Sequence, residues 1–367
     1  MTHPLLFSPM KIGSLALANR IVIAPMAQYS AEDGQMNDWH LIHLGQLANS
    51  GAGLLTIEAT AVAPEGRNTY GDAGLYSDAC EAAVGRVLHG VRRWSDMPIG
   101  IQINHAGRKA SRQKSWEGGA HIPPGAPNGW ATTGPSPLAY AEGETVPKVL
   151  DRGGMAAIRE AFAAAARRAS RLGLDFIEIL SAHGYLLHSF LSPLSNRRDD
   201  AYGGSLENRM RFPLEVFDAV RDSFDHRRPV TVRVSGTDWV PGGWSIEETI
   251  AYAAALEARG CAAINVSSGG SSPAQAIPTG PSYQVPLARA VRQATRLPVI
   301  AVGLITGYEQ AEAILATGDA DLIALGRAVL FDPRWPWHAA AHFGAQIRAP
   351  KQYLRARPSR FRTLFAS

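Results

Sequence analysis

The sequence predicts an α/β fold: one (β/α)8 TIM barrel with a long loop after its third strand and a C-terminal tail. Three observations predict it. Short β-branched apolar runs alternate with longer amphipathic segments, the runs number eight, and one connection far exceeds the others in length. Buried parallel strands read as near-continuous hydrophobic stretches, and eight βα units in sequence close into a barrel more readily than they form an open sheet. At 367 residues, 46% hydrophobic and 19% charged, the chain can bury a core of that size.

The runs are Ile21–Ala24, Leu54–Glu58, Ile99–Ile103, Phe176–Leu180, Val230–Val234, Ala263–Ser267, Val299–Val302 and Leu322–Leu325. Helical patterns lie between them. Asp38–Asn49 carries Leu41, Leu44 and Ala48 on one stripe, and Met155–Leu172, Ile246–Arg259 and Glu309–Thr317 are alanine-rich or similarly striped. Ser245 followed by Glu248 reads as a capping box. Gly173, Gly260 and Gly318 stand where helices should stop. From Asn104 to about Asp151 the chain is rich in Gly, Pro, Ser and Trp without periodicity. It follows the third strand, so it should cover the C-terminal mouth, where barrel active sites lie. The expected division is a barrel over 1–345 and a tail over 346–367.

Composition excludes several classes. The formal charge of +4 is spread thinly apart from a C-terminal cluster, which does not describe a nucleic-acid surface. Cys80 and Cys261 form no CxxC and no metal-ligand spacing, so no metal is expected and a reducing cytoplasm is the default. Met1 to Asn19 holds no basic segment followed by an apolar run, so no signal peptide is expected. No stretch reaches the roughly 18 apolar residues of a membrane span.

The strongest chemical signals lie at the last two strands. Strand seven runs into Val302-Gly303 and strand eight into Gly326-Arg327. Barrels often bind phosphate in these loops: glycines let backbone N–H groups approach, and an arginine supplies bidentate charge. The plainer reading leaves the glycines as turns and Arg327 as a surface charge. Arg233 sits inside the apolar run Thr-Val-Arg-Val and needs an anionic partner. That partner is either a core carboxylate or the electron-rich edge of a reduced flavin, and Gln102, ending strand three, would hydrogen-bond the flavin's pyrimidine edge. No GxGxxG follows any strand, which removes a Rossmann-held nicotinamide.

Longer motifs carry a resemblance. Asn19-Arg20-Ile21-Val22, Ala24-Pro25-Met26, Glu58-Ala59-Thr60-Ala61-Val62, Gln102-Ile103-Asn104-His105-Ala106-Gly107-Arg108-Lys109, Ala182-His183-Gly184-Tyr185-Leu186, Phe190-Leu191-Ser192-Pro193, Asn196-Arg197-Arg198 and Tyr202-Gly203-Gly204-Ser205-Leu206-Glu207-Asn208-Arg209 occur in that order. Together they resemble the old yellow enzyme family, in its thermophilic-type bacterial branch, which includes xenobiotic reductases. The resemblance implies non-covalent FMN, NAD(P)H as reductant, and reduction of a C=C bond conjugated to a carbonyl or nitro group. It places cofactor contacts on Pro25, Met26, Ala27, Ala59, Gln102, Arg233, Gly303, Gly326 and Arg327. Tyr185 matches the proton donor. His183 matches one of two groups holding the substrate's oxygen, and Tyr29 matches a pocket tyrosine. His40, His43 and His188 read as structural or surface residues. Gln352-Tyr353-Leu354-Arg355 resembles a tail that reaches a neighbouring subunit's site, with Arg355 lining it in a homodimer or homotetramer. From charge alone, the same stretch is a solvated basic tail.

Two departures matter. Ala27 stands where the branch usually has a cysteine near the flavin, so an altered potential is expected. The usual donor pair at i, i+3 reads here Leu180 and His183, and leucine cannot donate. Losing one such donor costs roughly 10²–10³ in rate. Asn104 either replaces it, sharing the inward face two residues past Gln102, or caps a turn. Without a replacement, Leu180 suits a drier, bulkier substrate. Other classes stay open: an oxidative FMN barrel (dehydrogenase, desaturase or demethylase), a non-catalytic flavoprotein, and tRNA dihydrouridine synthase. The last is suggested by the pI near 9.1 but lacks its catalytic cysteine and RNA-binding extension.

Overall fold

The computed structural model describes residues 4–366. Met1 to His3 and Ser367, at the ends of the expected barrel and tail, lie outside the described residues. Eight parallel strands close into a barrel in chain order: β1 (Ile21–Ile23), β2 (Leu54–Ala61), β3 (Ile99–Asn104), β4 (Ile177–Ser181), β5 (Val230–Ser235), β6 (Ile264–Ser267), β7 (Val299–Ala301) and β8 (Leu322–Leu325), with β8 returning to β1. Around them run α1 (Asp38–Ala48), α2 (Asp78–Arg92), α3 (Arg152–Arg171), α4 (Leu186–Leu191), α5 (Leu206–Ser223), α6 (Ile246–Glu257), α7 (Val285–Ala294), α8 (Tyr308–Ala316), α9 (Arg327–Phe331) and α10 (Trp335–Phe343).

Local chemistry explains the boundaries. Ser245 Oγ accepts from Glu248 N and Glu248 Oε2 accepts from Ser245 N, closing the capping box that starts α6. Gly173, Gly260 and Gly318 all adopt positive φ just beyond α3, α6 and α8. The apolar runs and the strands differ by a residue or two, with one larger difference. β2 continues three residues past Glu58 because Glu58 is a bulge: Ile57 pairs with Ile101, but Ala59 pairs with Gln102. The bulge breaks the alternation that marks a strand in sequence.

Alternation along the strands sorts the core. One set of side chains faces the helices; the other fills the barrel. At the end where strands begin, Val22, Leu54, Phe176, Ala263, Ile300 and Leu322 form an apolar cluster. A Cβ at Gly100 would run into the Phe176 ring, so glycine is required there. Below this cluster an N-terminal hairpin, Met10–Ile12 with Leu15–Leu17, inserts Ile12 and Leu17 and plugs that end. Its turn glycine, Gly13 (φ +55°), rests against Pro229 and Ala262, which precede β5 and β6. Among the described residues that end of the interior is closed, which leaves the strands' C-terminal ends as the way in. Among the described residues no helix is long and apolar enough to cross a membrane.

Candidate functional site

Above the apolar cluster the inward positions become polar. Glu178, 2% exposed, lies at the centre of this layer. Gln102 Nε2 donates to Glu178 Oε1 at 2.7 Å, and Asn265 Nδ2 donates to Glu178 Oε2 at 3.1 Å. Burial raises the Glu178 carboxyl, while nearby Arg233 and the two amides draw it back. Arg233 is level with Leu180 on one side and Asn265 on the other. Among the described residues it makes one hydrogen bond, Nε to Ser267 Oγ at 3.5 Å, and no ion pair. Burial lowers its pKa and Glu178 opposes that. The core carboxylate therefore exists, but two amides solvate it and the guanidinium is not locked to it. Gln102 spends one amide N–H on Glu178. Its second N–H and its carbonyl remain, one donor and one acceptor.

The loops after β7 and β8 face this floor. Gly303 has φ +119°, and its added Cβ would collide with Gln284 Nε2. Gln284 is pinned by donating to Val302 O at 2.9 Å and accepting from Ser268 at 2.7 Å. Gly326 is half-buried, with Met26 Sδ 3.8 Å from where its Cβ would be. Arg327 is exposed at the start of α9. Pro25, Met26 and Ala27 continue β1 along the same rim, half-buried, and Ala59 lies beside Gln102. The segment after β1 is held by the β2 bulge: Glu58 Oε2 accepts from Gln28 N at 2.8 Å, and His40 Nε2 approaches Glu58 Oε1 at 3.3 Å. His40 is thus a buried structural histidine.

The turn after β4 is strained and heavily braced. His183 has φ +60° and Gly184 φ +75°. A non-glycine residue in that region costs about 1–3 kcal/mol and persists only where surroundings impose it. Here Ser235 Oγ accepts from His183 N at 2.9 Å, and Lys109 Nζ donates to His183 O and Gly270 O, both at 2.8 Å. His188 Nδ1 accepts from Gly184 N at 2.8 Å, and its Nε2 faces Asp238 Oδ1 at 3.2 Å, both side chains fully buried. His188 is structural, like His40.

His183 Nε2 lies 2.8 Å from Ser267 Oγ, which is also 2.9 Å from Val234 O. Burial, then Arg233 and Lys109, hold His183 well below its usual pKa, so the ring is neutral and carries one proton. Its Nδ1 can donate only when the Ser267 hydroxyl donates to Nε2. Tyr185 stands edge-on to His183 with centroids 6.4 Å apart. Burial, reinforced by Asp72 and Tyr29, raises its pKa and keeps it a phenol. Lys109 Nζ lies 5.2 Å from the Tyr185 ring centroid, and burial lowers that ammonium to about 7. Tyr29, also at positive φ (+51°), meets Trp116 of the long loop edge-on. Leu180 is 2% exposed and level with Arg233. Arg355 is exposed in a short helical turn, Lys351–Ala356, beside Tyr353, which packs on Trp337. Among the described residues no hydrogen bond joins Arg355 to the mouth. A separate cleft of about 630 Å³ lies farther out, lined by Arg67, Tyr70, Lys114 and Trp130 and by none of the mouth residues above.

Sequence reasoning missed Glu178, Ser267 and the bracing role of Lys109. Glu178 had a signal: a carboxylate inside Phe-Ile-Glu-Ile-Leu is as anomalous as Arg233. Ser267 had none, because its link to His183 spans 84 positions.

A family model described as the NADH:flavin oxidoreductase / NADH oxidase family matches residues 5–346. The chain belongs to that family. An NADPH dehydrogenase of Geobacillus thermodenitrificans is 41% identical over 355 residues, covering 96% of this chain and 98% of the relative. Morphinone reductase superposes with a TM-score of 0.78 at 30% identity, covering all of this chain and 94% of that one. A 2-naphthoyl-CoA reductase in complex with 2-naphthoyl-CoA gives a TM-score of 0.81 at 25% identity over 90% of this chain, which spans about half (51%) of that longer protein. Family membership, with these relatives of the old yellow enzyme type, makes this protein an FMN-dependent NAD(P)H oxidoreductase.

Proposed function

We propose that this oxidoreductase reduces an activated C=C bond, conjugated to a carbonyl or nitro group, on a small molecule. The observation that carries the reading is the strained turn setting His183 and Tyr185 together over the polar floor. The residues present fit FMN. Arg233 is a deep guanidinium without an ion pair among the described residues, Gln102 keeps a free carbonyl acceptor, and Gly303 and Gly326 leave the backbone bare beside Arg327. In this reading Gly303, Gly326 and Arg327 hold the phosphate. Gln102 and Arg233 hold the ring's polar edge, and Pro25, Met26, Ala27 and Ala59 pack along it. When bound, FMN supplies the reducing hydride. His183 holds the activating oxygen, where negative charge develops. Tyr185, a phenol at neutral pH, delivers the proton to the α-carbon. Tyr29 and Leu180 shape the pocket. Ala27 places no thiol near the ring, which shifts the potential. Arg355 is assigned to a neighbouring subunit's mouth in a homodimer or homotetramer, and the location is cytoplasmic.

Anaerobic stopped-flow absorbance tests this. NADPH should bleach the flavin and 2-cyclohexenone should restore it. Buried Leu180 favours one second reading, an oxidative reaction that needs no second donor. Bleaching without recovery by any enone would select it. A colourless protein that takes up no FMN would refute both.

A further inference from the structure

We infer that Asn104 is the second group holding the substrate's activating oxygen, so that the donor absent at Leu180 has moved one strand over. The inference rests on the C=C reductase reading and names a catalytic residue for it. β3 and β4 are parallel, with Gln102 level with Glu178 and Ile103 level with Ile179. The next step in that register sets Asn104 level with Leu180. Gln102 and Asn104 share the inward face, as do Glu178 and Leu180. The Asn104 and Leu180 backbones thus stand one inter-strand spacing, about 4.8 Å, apart.

Its surroundings leave it unused by the fold. Asn104 is 3% exposed. A primary amide offers two N–H donors and a carbonyl. Among the described residues the Asn104 side chain makes no hydrogen bond, and its Oδ1 is buried without a partner. Two other inward amides, Gln102 and Asn265, both donate to Glu178. Among the described residues no carboxylate serves Asn104. Nor does Asn104 cap the turn that follows it. That turn is closed by His105 Nδ1, which accepts from Gly107 N at 3.0 Å, and Val62 N donates to the backbone carbonyl of Asn104 at 2.9 Å. A buried amide with no structural partner, level with the missing donor and on the same face as the polar floor, is placed to serve a ligand. Neutral His183 brings one N–H at Nδ1 when the Ser267 hydroxyl turns from Val234 O to Nε2, and Asn104 brings another. Leu180 between them keeps the position dry, where such bonds are strongest. The oxygen is then held nearer β3 than β5, away from Arg233.

The test uses FMN-loaded protein reduced anaerobically with one equivalent of dithionite, so that no nicotinamide is present. It is mixed with 2-cyclohexenone or with ferricyanide, an electron acceptor that needs no oxygen anchor, and flavin absorbance is followed. The near-isosteric Asn104→Leu should slow the enone reaction by roughly 10²–10³, and leave the ferricyanide reaction within about twofold. Calorimetry on the oxidised protein should show 2-cyclohexenone binding weakened about tenfold. Asn104→Leu/Leu180→Asn should recover much of both losses, because it returns an amide to the neighbouring strand. Enone rates within about threefold of the parent overturn the inference. So does an equal loss with ferricyanide, or loss of FMN, which would make Asn104 a structural residue. Asn104→Ala repeats the test if the leucine variant does not fold. Parent protein that reacts with ferricyanide but with no enone would instead sink the C=C reductase reading, and this inference with it.

Discussion

Replacing Gly303 with alanine isolates what the β7 loop demands of its backbone. At φ +119° an L-residue is strained by about 1–2 kcal/mol. The new methyl would also collide with Gln284 Nε2 and approach Gln284 Cδ to 3.1 Å. Gln284 is buried and cannot move without giving up its bonds to Val302 O and Ser268. Two neutral hydrogen bonds at about 1 kcal/mol each bring the total to about 3–4 kcal/mol. Unfolding entropy of about 2.1 cal/mol/K per residue over 367 residues converts this to a fall in Tm of about 4–5 °C. Scanning calorimetry on apoprotein measures it, and FMN titration should show weaker binding in the same variant. The cause is separable. With Gln284→Ala the collision has no target, so the double variant should be destabilised by clearly less than the sum of the singles. Additivity within about 0.5 kcal/mol would refute the collision, and an unchanged Tm would refute the whole account.

Two further outcomes are expected. Ser267→Ala removes the contact that fixes the His183 tautomer, about 1 kcal/mol of orientation, so enone reoxidation of the reduced flavin should slow about fivefold while ferricyanide reoxidation holds; unchanged enone rates would remove Ser267 from the site. His105 is buried and its pKa is lowered to about 4, so between pH 6.5 and about 4 the unfolded chain binds more protons and stability falls as pH drops, by up to about 3 kcal/mol. Asp72 acts in the opposite sense: burial raises it to about 6, so the folded state gains on acidification below that and offsets part of the loss. Urea unfolding across this window should show a flatter acid limb for His105→Gln, and an unaltered slope would contradict the assignment.

The barrel was legible because buried parallel strands leave uninterrupted apolar runs, and glycines such as Gly260 mark helix ends. The less visible elements hide their signals. α5 carries Pro213 inside the helix, and α2 carries Gly85 and Gly90, residues that count against helix in a sequence pattern. The plugging hairpin has three-residue strands, too short for periodicity. Within the site, strand-end residues were readable one by one, since each strand's last positions must face the mouth. What binds them laterally was not. Glu178 joining Gln102 to Asn265, Ser267 beside His183, and Lys109 spanning two loops each depend on which strands become neighbours. The level placement of Asn104 with Leu180 likewise needs the β3–β4 register.

The hairpin beneath the barrel has a kinetic meaning. With Ile12 and Leu17 sealing one end, the interior is a well with a single door. In the C=C reductase reading, reductant and acceptor reach the flavin by that same door. Where both stack on the same face of the ring, each excludes the other, and the expected steady-state signature is double-displacement kinetics with inhibition by an excess of either. The hairpin that closes the far end thereby helps to fix the route of both from the opposite pole of the barrel.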